Sequence, residues 1–97
     1  MLVGKDVIGF GIEQLSMFYI DFDRFVEKKG IDNIVETWFN MFKSIDYNYD
    51  LAEHDFKQSI NELIRFNNKT PTFSDILDGM RELKKQHDLE ELNKKLQ

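Results

Sequence analysis

The sequence predicts an all-α protein, a small four-helix bundle with an irregular N-terminal arm and a protruding C-terminal helix. Apolar residues recur every three or four positions through most of the 97 residues, which is the period of an amphipathic helix. No stretch alternates apolar and polar residues for long enough to predict a strand. The only proline, Pro71, separates two helical segments and defines a corner between them.

Length and composition are those of a single domain. A chain of 97 residues supports one hydrophobic core, and 41% hydrophobic with 13% aromatic residues is enough to fill it. The sequence therefore predicts one domain over residues 1–97. It comprises an arm at 1–11, a bundle at 12–83 and a helical extension at 84–97.

Glycines interrupt the apolar N-terminal segment at Gly4, Gly9 and Gly11. Because glycine weakens a helix, we predict an irregular arm there, with its apolar residues packed on the body. A first helix is then expected in one piece over residues 12–28, followed by Gly30 as its C-terminal cap. Its core-facing residues at helical spacing are Leu15, Phe18, Phe22 and Phe25.

The second helix is expected over residues 32–44. It includes Trp38, whose apolar neighbours at helical spacing predict a buried scaffold position. The third helix is expected over residues 51–66, with Asp55 among the charged residues of its solvent face.

The fourth helix starts at the proline corner. Pro71 cannot continue the preceding helix, and Thr72 with Asp75 three residues later predicts a capping box, so these three residues are also expected to be scaffold. Beyond Lys84 the pattern becomes polar, and only three leucines return at helical spacing. We predict a protruding helical extension there.

Charge argues against direct binding of nucleic acid. The formal net charge is −5; residues 81–97 hold five basic and four acidic residues, and residues 1–80 hold eight basic and fourteen acidic ones. An acidic body repels phosphate backbones, so a protein partner is the better expectation. The chain has no cysteine, no run of about 20 apolar residues and no secretory leader pattern, which predicts a cytoplasmic protein without a membrane partner.

The polar residues predict neither catalysis nor a cofactor. His54 and His87 fall on different helices with no nucleophile near either in sequence, so we read them as surface residues. Asp46, Asn48 and Asp50 have the spacing that begins a calcium-binding EF-hand loop. Positions six and twelve of that loop would be Leu51 and Lys57, which favours a capped turn without a metal.

Two groups of apolar residues are candidates for binding a partner. Leu89, Leu92 and Leu96 form a thin apolar seam on the extension, and Met17 and Ile20 are hard to bury in so small a bundle. The sequence thus predicts that the leucines, with a patch around Met17 and Ile20, contact another protein.

Several features resemble the phage replicative-helicase loader/inhibitor family over residues 12–82. They are Phe18-Tyr19 with Phe22, Trp38-Phe39 with Phe42, Asp46-Tyr47, the helix from Ala52 to Phe66, and Pro71-Thr72 with Asp75-Ile76. The resemblance implies a small all-helical phage protein that binds the hexameric replicative helicase and inhibits or delivers it during DNA replication. It further implies that Trp38 and Pro71-Thr72 are scaffold and that the C-terminal part binds the helicase or its loader.

Two other readings of the sequence stay open. An acidic protein of a phage or mobile element can block a host enzyme by acting as a nucleic-acid mimic. Alternatively, the wide apolar surfaces of the first two helices can pair in a homodimeric regulatory module.

Overall fold

The computed structural model describes residues 2–96; Met1 and Gln97, at the outer ends of the predicted arm and extension, lie outside the described residues. The helices are α1 (Lys5–Phe18), α2 (Ile20–Lys29), α3 (Ile31–Ser44), α4 (Ala52–Phe66) and α5 (Phe73–Leu96). The described part of the chain contains no strand beyond one isolated bridge between Leu2 and Asn48. The predicted all-α class is confirmed, with five helices where four were expected.

The predicted N-terminal arm is wrong, because α1 begins at Lys5 and continues through two of its glycines. Gly11 is needed for packing: a Cβ there would lie 2.5 Å from Cδ1 of Ile60 and 2.6 Å from the ring of Phe56. The missing side chain therefore lets α1 approach α4 closely. Burial of the apolar residues around Gly11 offsets the free-energy cost of placing glycine in a helix.

The predicted single helix over residues 12–28 is also wrong, because it breaks at Tyr19. Tyr19 is extended, with φ −127° and ψ 112°, and its side chain is buried. Its hydroxyl lies 3.0 Å from the carbonyl oxygen of Leu63 and 2.7 Å from that of Asn67. Phe18, the last residue of α1, was predicted to face the core but is 59% exposed.

The helices share one hydrophobic core in which Trp38 is central. Its side chain is 7% exposed and packs against the rings of Phe22, Phe56 and Phe73 at centroid distances of 6.1, 6.5 and 5.5 Å. Burying each such ring stabilises the fold by roughly 1.5–3 kcal/mol. Trp38 therefore lies in the scaffold.

The proline corner has the predicted geometry. Pro71 is buried. The backbone N–H of Thr72 donates to the Asp75 carboxylate at 2.9 Å, and the N–H of Asp75 donates to the Thr72 hydroxyl at 3.3 Å. This reciprocal pair is the predicted capping box, and it satisfies backbone donors at the start of α5.

After the corner, α5 runs antiparallel to α4. The Ser59 hydroxyl donates to the carbonyl oxygen of Ile76 at 2.8 Å, and Asp55 contacts His87 further along. A helix of the length of α5 spans about 36 Å, which exceeds what the shorter α4 can cover. The molecule measures 52 × 27 × 17 Å.

Candidate partner-binding surface

The surroundings of α5 change along its length. Ile76, Leu77 and Met80 are buried against the bundle, and His87 is half-buried. Every residue from 88 to 96 is exposed. The last nine described residues of the chain therefore form a helical segment with no bundle residue covering it.

A polar network, which we call the α5 anchor, holds the helix where it leaves the bundle. It consists of Tyr49, Asp55 and His87. Nε2 of His87 lies 2.9 Å from Oδ1 of Asp55, and the Tyr49 hydroxyl donates to Oδ2 of the same carboxylate. The Lys84 ammonium group lies 5.4 Å from the centroid of the Tyr49 ring. Both oxygens of a fully buried carboxylate thus have partners, as burial of a charge requires.

The protonation states in the α5 anchor follow from its donors and acceptors. Burial, reinforced by the hydrogen bond to Asp55, raises the pKa of Tyr49, so its hydroxyl keeps the proton that it donates. An ionised carboxylate can only accept, so when Asp55 is ionised its contact with His87 is a hydrogen bond that Nε2 donates. The network therefore joins α5 to the first turn of α4 and to the turn before it.

Two sequence-based assignments are corrected here. Asp55 was expected on the solvent face, but its side chain is fully buried. His87 was expected at the surface without a partner, but its side chain is only 32% exposed and pairs with Asp55. His54 is exposed, as expected.

The leucine seam, formed by Leu89, Leu92 and Leu96, points away from the bundle. At 100° per residue, Ile76, Met80 and His87 lie on one stripe of α5, and the seam lies on average roughly 160° around the helix from it. The leucines are 59%, 52% and 77% exposed. They do not continue the core-facing stripe, since the apolar side of α5 changes between its two halves.

Met17 and Ile20 lie at the other end of the molecule, in a cluster that we call the junction patch: Met17, Phe18, Ile20 and Phe66. These side chains are 74%, 59%, 68% and 78% exposed. Measured along α4 and α5, this end lies roughly 25 Å from the leucine seam, at 1.5 Å per residue. The structure therefore does not bring the two predicted partner-binding groups together.

The capped turn predicted before α4 is wrong, because Leu51 is the N-cap of α4 and no side-chain hydrogen bond caps this helix. Asp46 has positive φ, 51°, in the turn between α3 and α4. Within residues 2–96, no three His, Cys, Asp or Glu side chains are grouped so that they could hold a metal ion. Among those same residues, no helix combines the length and apolarity needed to cross a membrane.

Comparisons of the chain with protein-family models, with characterised proteins and with solved structures find no match.

The sequence contains a signal for the burial of Asp55, which was expected on the solvent face. The buried residues of α4 are Ala52, Asp55, Phe56, Ser59 and Ile60. Asp55 follows the buried Ala52 by three residues, and this helical spacing places it on the core face despite its charge. Helical periodicity gave no such signal for Phe18, which follows the buried Leu15 by three residues and is nevertheless exposed.

Proposed function

We propose that this protein is a non-catalytic interaction module that binds another protein by placing the leucine seam in an apolar groove of that partner. The observation that carries the proposal is the position of the seam. It lies on residues 88–96 of α5, which are all exposed, and it faces away from the protein's own core. Amphipathic helices commonly bind in grooves through anchors at positions i, i+3 and i+7, which is the spacing of Leu89, Leu92 and Leu96.

The size of the seam favours a groove over a flat surface or a single helix. Burying a leucine side chain contributes about 2 kcal/mol, and burying apolar surface contributes about 25 cal/mol per Å². The three leucines can therefore bury on the order of 250 Å² of apolar surface. A specific interface usually buries about 800 Å² on each partner. A groove reaches a larger area because it also covers the flanks of the exposed helix.

The charges of the extension are compatible with such a groove. Glu90 and Glu91 alternate with Lys94 and Lys95 around the helix, so neither sign dominates beside the seam. The seam itself is apolar, and its contribution to affinity should depend little on salt. Strong salt dependence is instead expected of the acidic-mimic alternative.

The partner that we propose is a replicative helicase or its loader, and the support for it is the resemblance described above. In this proposal the protein acts stoichiometrically, and the extension supplies the helicase contact. The α5 anchor contributes by fixing the direction in which the extension leaves the bundle. Asp55 is closed to solvent, so the proposal gives the anchor a structural role.

The test is direct binding of the full chain to purified hexameric replicative helicases and their loaders, measured by calorimetry at low and high salt. Replacing Leu89→Ser together with Leu92→Ser should weaken binding by at least about 100-fold, because two buried leucines are lost. Leu51→Ser is the matched control, since Leu51 is 41% exposed on the turn before α4. It should leave affinity within about threefold of the original value.

Each possible result bears on a separate part of the proposal. If the unaltered chain binds none of these proteins, the assignment to replication is wrong. If it binds and the double substitution has no effect, the seam is not the binding surface. Point substitutions are better than shortening α5, because a truncation before His87 would also remove the α5 anchor.

A further inference from the structure

We propose that the junction patch binds a second copy of this chain, giving a symmetric dimer. The patch is a separate surface from the leucine seam, and the proposal is independent of the partner bound there. Its four residues, Met17, Phe18, Ile20 and Phe66, end α1, begin α2 and end α4.

The four side chains lie at one end of the bundle because α1 and α4 run parallel. The Gly4 N–H donates to the Glu53 carboxylate at 3.1 Å, near the start of both helices. Gly11 meets Ile60 in the middle. The Tyr19 hydroxyl reaches the carbonyl oxygens of the last turn of α4. The end of α1 therefore lies beside the turn that carries Phe66.

Three of the four flank the break between α1 and α2. Tyr19 turns inward at this break, whereas its neighbours Phe18 and Ile20 are exposed. Phe66 lies in the final turn of α4, where it borders a depression of about 350 Å³ between α4 and α5. The fold thus exposes two aromatic rings and two aliphatic side chains at this end of the bundle, and Phe66 alone of the four borders the depression.

Area decides between the junction patch and the leucine seam as the surface for self-association. Four large side chains, each exposing roughly 100–150 Å², offer about 500 Å² per copy. A symmetric pair would bury about 1,000 Å², which reaches the lower limit for a specific interface. By the same measure the three leucines expose about 375 Å² per copy, so pairing of two leucine seams would bury about 750 Å², which stays below that limit.

Charges around the patch favour a second copy of the same chain. Asp21 and Asp23 follow Ile20 in the first turn of α2, whereas Arg65 and Lys69 flank Phe66 at the end of α4. A two-fold axis through the patch can place the acidic rim of one copy against the basic rim of the other. Such self-complementarity is what a symmetric interface requires.

The test is sedimentation equilibrium of the full chain from about 10 μM to about 1 mM, which brackets the micromolar affinity expected of so small an interface. We expect a monomer–dimer equilibrium. Replacing Phe18→Ser together with Phe66→Ser should weaken association by at least about 30-fold, while circular dichroism reports whether the helices are kept. Phe10→Ser is the matched control, because Phe10 is 51% exposed on α1 outside the patch.

A second pair of substitutions, Met17→Ser with Ile20→Ser, probes the same surface without touching an aromatic ring. It should also weaken the dimer by at least about tenfold. A chain that stays monomeric up to the highest concentration contradicts the proposal. So does a dimer that both folded variants leave unchanged, or one that is lost on substitution of Leu89 and Leu92 instead.

Discussion

The two halves of α5 have different physical support. Residues 73–87 bury Ile76 and Met80 in the common core and end at the pair between His87 and Asp55. Residues 88–96 are exposed on every side, and their leucines face away from the bundle. One half is held by tertiary contacts, and the other continues a helix that those contacts have already started.

This difference explains how an exposed segment can remain helical. A nine-residue helix on its own is marginal in water because nucleation is unfavourable. Here the anchored half supplies the nucleus, and the pairs Glu90 with Lys94 and Glu91 with Lys95 each add about 0.2–0.5 kcal/mol. The extension therefore has a defined direction at its start while its apolar seam stays available to a partner.

The two halves of α5 should differ most in how much side-chain packing contributes to the free energy of unfolding. Met80→Ala should lower the free energy of unfolding by about 2–5 kcal/mol, because Met80 is fully buried and a cavity remains. Leu92→Ala on the extension should change it by less than about 0.5 kcal/mol. Urea unfolding at low protein concentration measures both values. A loss above about 1 kcal/mol for Leu92→Ala would mean that the seam is covered in the free protein.

A smaller contrast concerns the α5 anchor. His87→Ala should cost about 1–3 kcal/mol, because it leaves one oxygen of the buried Asp55 carboxylate without its partner. His54→Ala is the control, since His54 is exposed, and its effect should stay below about 0.5 kcal/mol. Thermal and urea unfolding report the costs, and hydrogen exchange should show weaker protection near the end of α5 only for the first variant. Equal effects of the two substitutions would show that the anchor does not stabilise the fold.

The smallest effect is expected at alkaline pH. Burial raises the pKa of Tyr49 above its ordinary value of 10.0, so its contribution to stability is fully present below pH 10.0. As pH rises further, only the unfolded chain loses this proton, and the free energy of unfolding falls by up to about 1.4 kcal/mol per pH unit. Tyr49→Phe removes this group and should make the decline shallower by up to that amount. An unchanged slope in urea titrations above pH 10.0 would contradict the assignment.

Several parts of the fold could be predicted because they depend on residues close together in sequence. The capping box of Thr72 and Asp75 joins residues three positions apart, and Trp38 falls on an apolar stripe of a single helix. The predicted arm and the unbroken first helix failed for the opposite reason. Gly11 and Tyr19 are explained by contacts with α4, more than 40 residues away along the chain.

The two candidate surfaces were likewise predictable only as far as they depend on residues within one helix. Helical spacing alone identified the leucine seam, because periodicity within one helix reports which residues share a face. It could not show that the seam lies far from Met17 and Ile20, since that distance depends on how α1 and α5 pack against α4. Phe18 and Phe66 lie at the same end of the molecule because α1 and α4 run parallel, which the sequence does not show.

The sequence by itself determined the all-α class, most of the helix-forming segments and the proline corner, because periodicity, capping and proline stereochemistry act over a few residues. The tertiary structure decided that the buried Asp55 pairs with the half-buried His87, that the glycine-containing segment is a helix, and that the two apolar surfaces lie at opposite ends. The physical reason is that burial and direction arise from contacts between helices. Those contacts override the local preferences of glycine and of charged residues.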